Sequence, residues 1–148
     1  NFKPLAVDYI GHKEMAKDAD FILIIAGHND AAKIGNSKDS LTIFADSLNI
    51  LLHSIKRNHP NAKIGYVTPW YVDRAGFSPV VKTIKKICRK HNSPVLNNCS
   101  KKSIIKVRDS EFRKKYFQGT NDTAHLNNAG HDMFLPVGEE FIFKIANQ

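Results

Sequence analysis

The sequence predicts an α/β domain whose strands lie parallel in one sheet, and two patterns predict it. From Asp20 onward, short apolar runs alternate with longer stretches in which apolar residues recur every three or four positions. The most apolar of the short runs, Phe21-Ile22-Leu23-Ile24-Ile25-Ala26, contains no polar residue. Such a run suits a strand covered on both faces inside a parallel sheet, so it is expected at the sheet's centre. Gly27 ends it.

The elements follow in order. Leu41, Phe44, Leu48, Leu51, Leu52 and Ile55 form one apolar stripe along a helix over Ser37 to Asn58, stopped by Asn58-His59-Pro60-Asn61. Lys63 to Thr68 reads as a strand closed by Pro69, and a loop with Trp70, Tyr71 and Gly76 follows. Ser78 and Pro79 supply an N-cap and a first-turn proline for a helix that buries Val80, Val81, Ile84, Ile87 and Cys88 and stops at Asn92. Pro94 to Asn97 is a third strand, and Ser103 to Tyr116 is expected to be helical. The last helix, Asn127 to Ala146, places Gly130, Met133, Phe134, Val137, Phe141 and Ile145 on one side. Pro136 should kink it or split it in two.

No repeat, low-complexity tract or linker divides the 148 residues, so 1–148 is read as a single domain. A hydrophobic content of 42% with 24% charged residues is that of a globular chain with one sizeable core. No apolar run approaches the roughly 20 residues of a membrane span. Asn1-Phe2-Lys3-Pro4 is not read as the native start, and no compartment is assigned. Cys88 and Cys99 have neither disulfide-framework nor metal-ligand spacing. The formal charge of +8, from 22 Lys and Arg against 14 Asp and Glu, favours acidic partners such as nucleic acid, an anionic glycan or a membrane surface. No nucleic-acid-binding motif accompanies it, and the basic residues around Lys82 to Lys90 and Lys101 to Lys115 suit solvated helix faces, so nucleic acid is not expected as a partner.

Two segments can carry chemistry. Gly27-His28-Asn29-Asp30 directly follows the most apolar run. A glycine there permits a tight turn, and an Asn at a strand's carboxyl end can aim its amide at a developing oxyanion. The alternative is that Asn29 and Asp30 only form a turn or cap the next helix. The second segment is Asp122-Thr123-Ala124-His125, with Gly130-His131 beyond it. A carboxylate three residues before a histidine can hold one ring nitrogen and leave the other as a base, although the same spacing arises in helix-capping turns.

Together, and in this order, the segments resemble the SGNH hydrolases, also called GDSL esterases and lipases. Gly27-His28-Asn29-Asp30 is similar to that family's Gly-x-Asn-Asp block and Asp122-Thr123-Ala124-His125 to its Asp-x-x-His block, about 90 residues apart in a domain-sized chain. The surroundings agree: Asp18-Ala19-Asp20-Phe21-Ile22, Ala62 to Pro69, and His125-Leu126-Asn127-Asn128-Ala129-Gly130-His131, so the likeness runs from about Tyr9 to the end. The resemblance implies a three-layer α/β/α fold with a mostly parallel, flavodoxin-like sheet and acyl-ester hydrolysis without a cofactor. It makes Asn29 the oxyanion donor, His125 the general base and Asp122 its orienting carboxylate, with Gly27 and Asp30 shaping the turn. His28, Trp70 and Tyr71 become substrate-side candidates, packing under the loop being the alternative for Trp70. His131 is expected to be structural, and no metal site is expected.

One departure is large. The family's nucleophile lies in a Gly-Asp-Ser block well before Gly-x-Asn-Asp, but the 26 residues before Gly27 contain no serine, and Gly11 lacks the flanking pattern of the family's oxyanion glycine. Asp39-Ser40, Asp46-Ser47 and Asp109-Ser110 do not follow a strand and a glycine and are read as surface pairs. The sheet is therefore expected to lack its first strand in this chain, with the nucleophile outside it. The open edge should favour homo-oligomers or recruitment of the lost piece. Two functions remain: an esterase of short acyl groups, with O-acetyl groups on carbohydrate favoured, or a non-catalytic binding module on the same fold.

Overall fold

The computed structural model describes residues 18–147. The readings on Tyr9 and Gly11 lie outside these residues. The described chain forms β1 (Phe21–Ile25), α1 (His28–Ile34), α2 (Lys38–Asn58), β2 (Lys63–Val67), α3 (Phe77–Lys90), β3 (Val95–Leu96), α4 (Ser110–Tyr116) and α5 (Asn128–Ala146). The strands pair in parallel in the order β1-β2-β3. The architecture is mixed α/β on a parallel sheet, as the alternating pattern predicts.

Successive side chains of a strand point to opposite faces. Ile22, Ile24, Ile64 and Tyr66 face a core shared with α2 and α3. Ser37 caps α2 by accepting the amide of Ser40, and the predicted stripe of Phe44, Leu48, Leu51, Leu52 and Ile55 is buried beneath it. Val80, Ile84, Ile87 and Cys88 come from α3. Each fully buried aliphatic side chain contributes about 1.5–3 kcal/mol. Cys88 is completely buried, which pushes its thiol up to about 12 and makes it an inert core group. Val67 points the other way, onto Phe141 and Ile145 of α5. Helices thus lie on both faces of β2, and among the described residues no helix is long and apolar enough to cross a membrane.

Four expectations are corrected. First, β1 is an edge strand of the described sheet and is not covered on both faces: Phe21, Leu23 and Ile25 are 46%, 38% and 69% exposed. The side of the sheet they share with Gly65 is occupied by α5, which packs over β2 and leaves β1 bare. Second, α3 begins at Phe77 with Gly76 as its N-cap, so Ser78 and Pro79 are exposed first-turn residues. Starting there draws Phe77 into the core, where it is 1% exposed.

Third, helix α4 starts only at Ser110, capped by the Asp109 carboxylate, which accepts the amides of Glu111 and Phe112. Ahead of it Ser103, Ile105 and Val107 are buried at every second position, an extended pattern that conflicts with a helix. Fourth, Pro136 does not split α5, which runs through it as one helix. Asp132, whose carbonyl loses its usual partner, is exposed together with Pro136, so water can take that bond.

Gly76 carries the sharpest backbone constraint. Its φ is +95°, and a Cβ there would lie 2.2 Å from the Ala31 carbonyl oxygen of α1. That oxygen is backbone and cannot swing away. Gly76→Ala should lower the unfolding free energy by about 3 kcal/mol through left-handed strain plus the clash. Gly119→Ala, with nothing within 4 Å of its would-be Cβ, should change it by less than about 0.5 kcal/mol. Urea titration of both variants measures the contrast.

Candidate functional site

β1 and β2 end level with each other, Ile25 pairing with Val67, so the turns that follow leave from one end of the sheet. At the first, Gly27 has φ +105°, and a Cβ on it would lie 3.0 Å from Ile84 Cδ1 and 3.3 Å from Pro69 Cγ. Glycine therefore meets both the torsion and the close approach of the second turn. Gly27 is also the N-cap of α1, with no side-chain capping bond, and its carbonyl accepts the Ala31 amide at 2.9 Å. Asn29 and Asp30 lie inside the first turn of α1, so they do not cap it, and Ser37 rather than either of them caps α2. Asn29 is exposed. Asp30 is half-buried, and burial holds its carboxyl above the usual range against its own amide and Lys33, which lower it. Among the described residues its carboxylate bonds to no other residue, so any part it has in shaping the turn runs through its own amide.

The Asp-x-x-His segment combines the two arrangements open to it. Asp122 Oδ1 accepts the amides of Ala124 at 2.7 Å and His125 at 2.8 Å, which closes the turn. Asp122 Oδ2 stands 3.0 Å from His125 Nδ1. An ionised carboxylate only accepts, so the proton of the neutral ring sits on Nδ1 and Nε2 carries the lone pair. Burial alone would raise the Asp122 carboxyl, but the two amides, the ring bond and the His125 charge together hold it below its ordinary value. The His125 side chain is 69% exposed, and its Nε2 has no hydrogen-bond partner among the described residues.

Neighbouring groups clamp this turn. The Trp70 indole donates to the Thr123 carbonyl at 2.7 Å, and its ring meets Phe117 edge-on with centroids 5.7 Å apart. The Gln118 amide donates to the His125 carbonyl at 3.0 Å. Asn127 accepts the Gly130 amide at 2.9 Å as the N-cap of α5, while its Nδ2 donates to the Lys115 and Phe117 carbonyls at 3.0 Å each. These roles of Trp70 and Asn127 depend on backbone acceptors, so sequence reasoning did not find them. Asn127 alone had a local signal, as an Asn opening a helix.

His28 joins the two segments. Its ring meets Phe77 edge-on at 4.9 Å and Trp70 at 5.9 Å, tilted by 60°. Burial lowers its pKa first, and the charges of His125 and Arg74 lower it further against the opposing pull of Asp122, which favours the neutral ring. His28, Trp70, Asp122 and His125 are therefore brought together. Trp70 is half-buried and acts as a strut between the two turns.

Tyr71 stands apart from them. Its hydroxyl donates to Asp73 Oδ1 at 3.2 Å, and the Arg108 guanidinium lies 4.3 Å from its ring centroid. His131 is exposed in the first turn of α5, where its amide bonds the Asn127 carbonyl. Ser40 lies in the first turn of α2, Ser47 within α2 and Ser110 at the start of α4, and no serine bonds His125 among the described residues. Nor, among the described residues, do three His, Cys, Asp or Glu side chains converge in a way that could hold a metal ion. Set against protein-family models, curated proteins and solved structures, the chain finds no match.

Two outcomes follow from the double role of Asp122. In Asp122→Asn the amide oxygen can still accept the two backbone amides, but its NH2 now faces Nδ1 and drives the ring proton to Nε2. Nitrogen NMR of the imidazole should show the Nδ1–H form in the parent and the Nε2–H form in the variant. The depressed carboxyl also stabilises the fold only while ionised. That contribution is complete above the unfolded value of about 4 and disappears as pH falls through the lower folded value. Replacing Asp122 should shrink the acid limb of a stability-versus-pH curve and leave the region above about pH 5 flat by comparison.

Proposed function

We propose that this chain contributes the base, its orienting carboxylate and an oxyanion donor to an acyl-ester hydrolase of the SGNH/GDSL kind, on a three-layer, flavodoxin-like α/β/α fold. The observation that carries the reading is the 3.0 Å contact of His125 Nδ1 with Asp122, on a turn tied by Trp70 to the Gly27–Asp30 turn. An exposed Nε2 with a lone pair is what a general base requires, and the Asn29 amide on the neighbouring turn suits an oxyanion donor.

In the proposed mechanism a serine hydroxyl attacks the ester carbonyl while His125 Nε2 takes its proton. The tetrahedral oxyanion accepts a hydrogen bond from Asn29. Collapse expels the alcohol, which receives the proton from His125, and leaves an acyl-serine. Water then attacks with His125 again as base, releasing the acid and restoring the serine. Asp122 stays ionised throughout and stabilises the imidazolium. Short acyl esters, with O-acetyl groups on carbohydrate foremost, are the proposed substrates.

The serine is proposed to lie on a further segment or polypeptide. The bare apolar side chains of β1 are compatible with another strand and its connecting helix settling there. The second reading, a binding module without catalysis, is favoured by one observation, namely that no serine bonds His125 among the described residues.

A fluorophosphonate probe with mass-spectrometric mapping separates the readings when applied to the chain alone and to a version extended upstream in its gene. Labelling of one serine in the extended version, with ester hydrolysis, supports the hydrolase. His125→Ala should then lose about six orders of magnitude in kcat and Asn29→Ala about 10²- to 10³-fold. Labelling within the short chain would relocate the nucleophile, and no labelling or hydrolysis in either version would leave the binding module.

A further inference from the structure

The surface that leads away from the Asp122–His125 turn is basic. A cavity of about 300 Å³ begins at Thr123, next to Asp122, and is lined by Arg74, Arg108 and Arg113. Val107 and Arg108 also line a second cavity of about 620 Å³, so the two adjoin at these residues. The second adds Lys101, Lys106 and Tyr71. Five cationic side chains thus line the groove against two carboxylates, Asp73 and Asp109.

The carboxylates do little to neutralise them. Asp109 is turned to the amides of the α4 cap and pairs with none of the five cations among the described residues, and Asp73 pairs with Arg108 at 3.5 Å with both side chains largely exposed, a contact worth little in water. Arg113 is fixed by the carbonyls of Thr120 and Val107 and Lys106 by the carbonyl of Ser103. Neutral carbonyls hold these cations in place without cancelling their charge. Arg74 lines the same cavity as Thr123, which sets one end of the cationic track beside the candidate site.

We infer that the groove binds an anionic carbohydrate chain, so that the ester presented to His125 is carried on a sugar polymer bearing carboxylate or sulfate groups. The orientation of that chain rests on the hydrolase reading, whereas the binding does not. Fixed guanidinium and ammonium groups along a polar trough suit repeated negative charges on a hydroxyl-rich chain. Nucleic acid fits less well. Single strands bind by stacking bases on open aromatic faces, and Arg108 already covers the ring of Tyr71.

The test is calorimetric titration of the chain with oligogalacturonate, a dextran sulfate, neutral dextran of matched length and a single-stranded oligonucleotide. Binding of either charged sugar, with neutral dextran silent, is the expected result, and the tighter of the two identifies the charged group. Arg74→Glu with Arg108→Glu, and separately Lys101→Glu with Lys106→Glu, should each weaken that binding at least about tenfold. All four residues are exposed, so the variants should keep the parent's thermal transition. The inference is overturned if no charged sugar binds, if neutral dextran binds equally, if the oligonucleotide binds as tightly as the charged sugars, or if charge reversal has no effect. An unesterified sugar needs no nucleophile, so this failure is distinct from absent fluorophosphonate labelling.

Discussion

The pairing of β1 with β2 is the constraint on which the site depends. Ladder hydrogen bonds place Ile25 opposite Val67, so both chains must turn within the same few ångströms. Only a residue without a Cβ can turn there at positive φ while Pro69 and Ile84 press against it, and Gly27 is that residue. The close approach of the turns brings Trp70 near His28. From there its indole reaches across to the carbonyl of Thr123. The exposed Asp122–His125 turn is held to the body of the domain through this backbone bond and through Asn127, which grips α4 and α5 together.

The electrostatics follow from that packing. A carboxylate that accepts three hydrogen bonds stays ionised, and an ionised carboxylate fixes the tautomer of the ring it faces. His28, pressed between aromatic rings and close to a second imidazole and Arg74, is shifted toward its neutral form. Two histidines near each other are therefore held differently: one ring is oriented by a carboxylate with its other nitrogen unbonded among the described residues, and the other is packed between aromatic rings.

What could be read from the sequence was what is local. The stripe of α2, the core face of α3 and the Asp122–His125 pair all arise within a few turns of chain, where spacing determines geometry. The bareness of β1 could not be read, because an unbroken apolar run looks the same whether or not a partner covers it. The stretch before α4 was misjudged as helix because Ser103, Ile105 and Val107 offer a weak alternation beside a strongly charged helical tail. Trp70 was expected at the substrate side, with packing as the alternative, and its strut role depends on a carbonyl 53 residues away, an acceptor every residue possesses. Gly76 passed as an ordinary loop glycine, since its constraint comes from the backbone of α1.

Gly65, in the middle of β2, has a bearing on how the chain is made. A Cβ there would lie 2.3 Å from Ile145 Cδ1 and 3.1 Å from Phe141 Cε1, so α5 rests directly on the strand's backbone. The Lys63 ammonium reaches the Ala146 carbonyl and fastens the far end of that helix to the same strand. These partners are about 80 residues apart, a span whose closure costs entropy before any contact repays it. During synthesis the sheet, α2 and α3 emerge first, and the glycine floor stays open until α5 has left the ribosome. A nascent chain at that stage displays Val67 and the bare side of β1 to its surroundings, so α5 is what closes this face of β2.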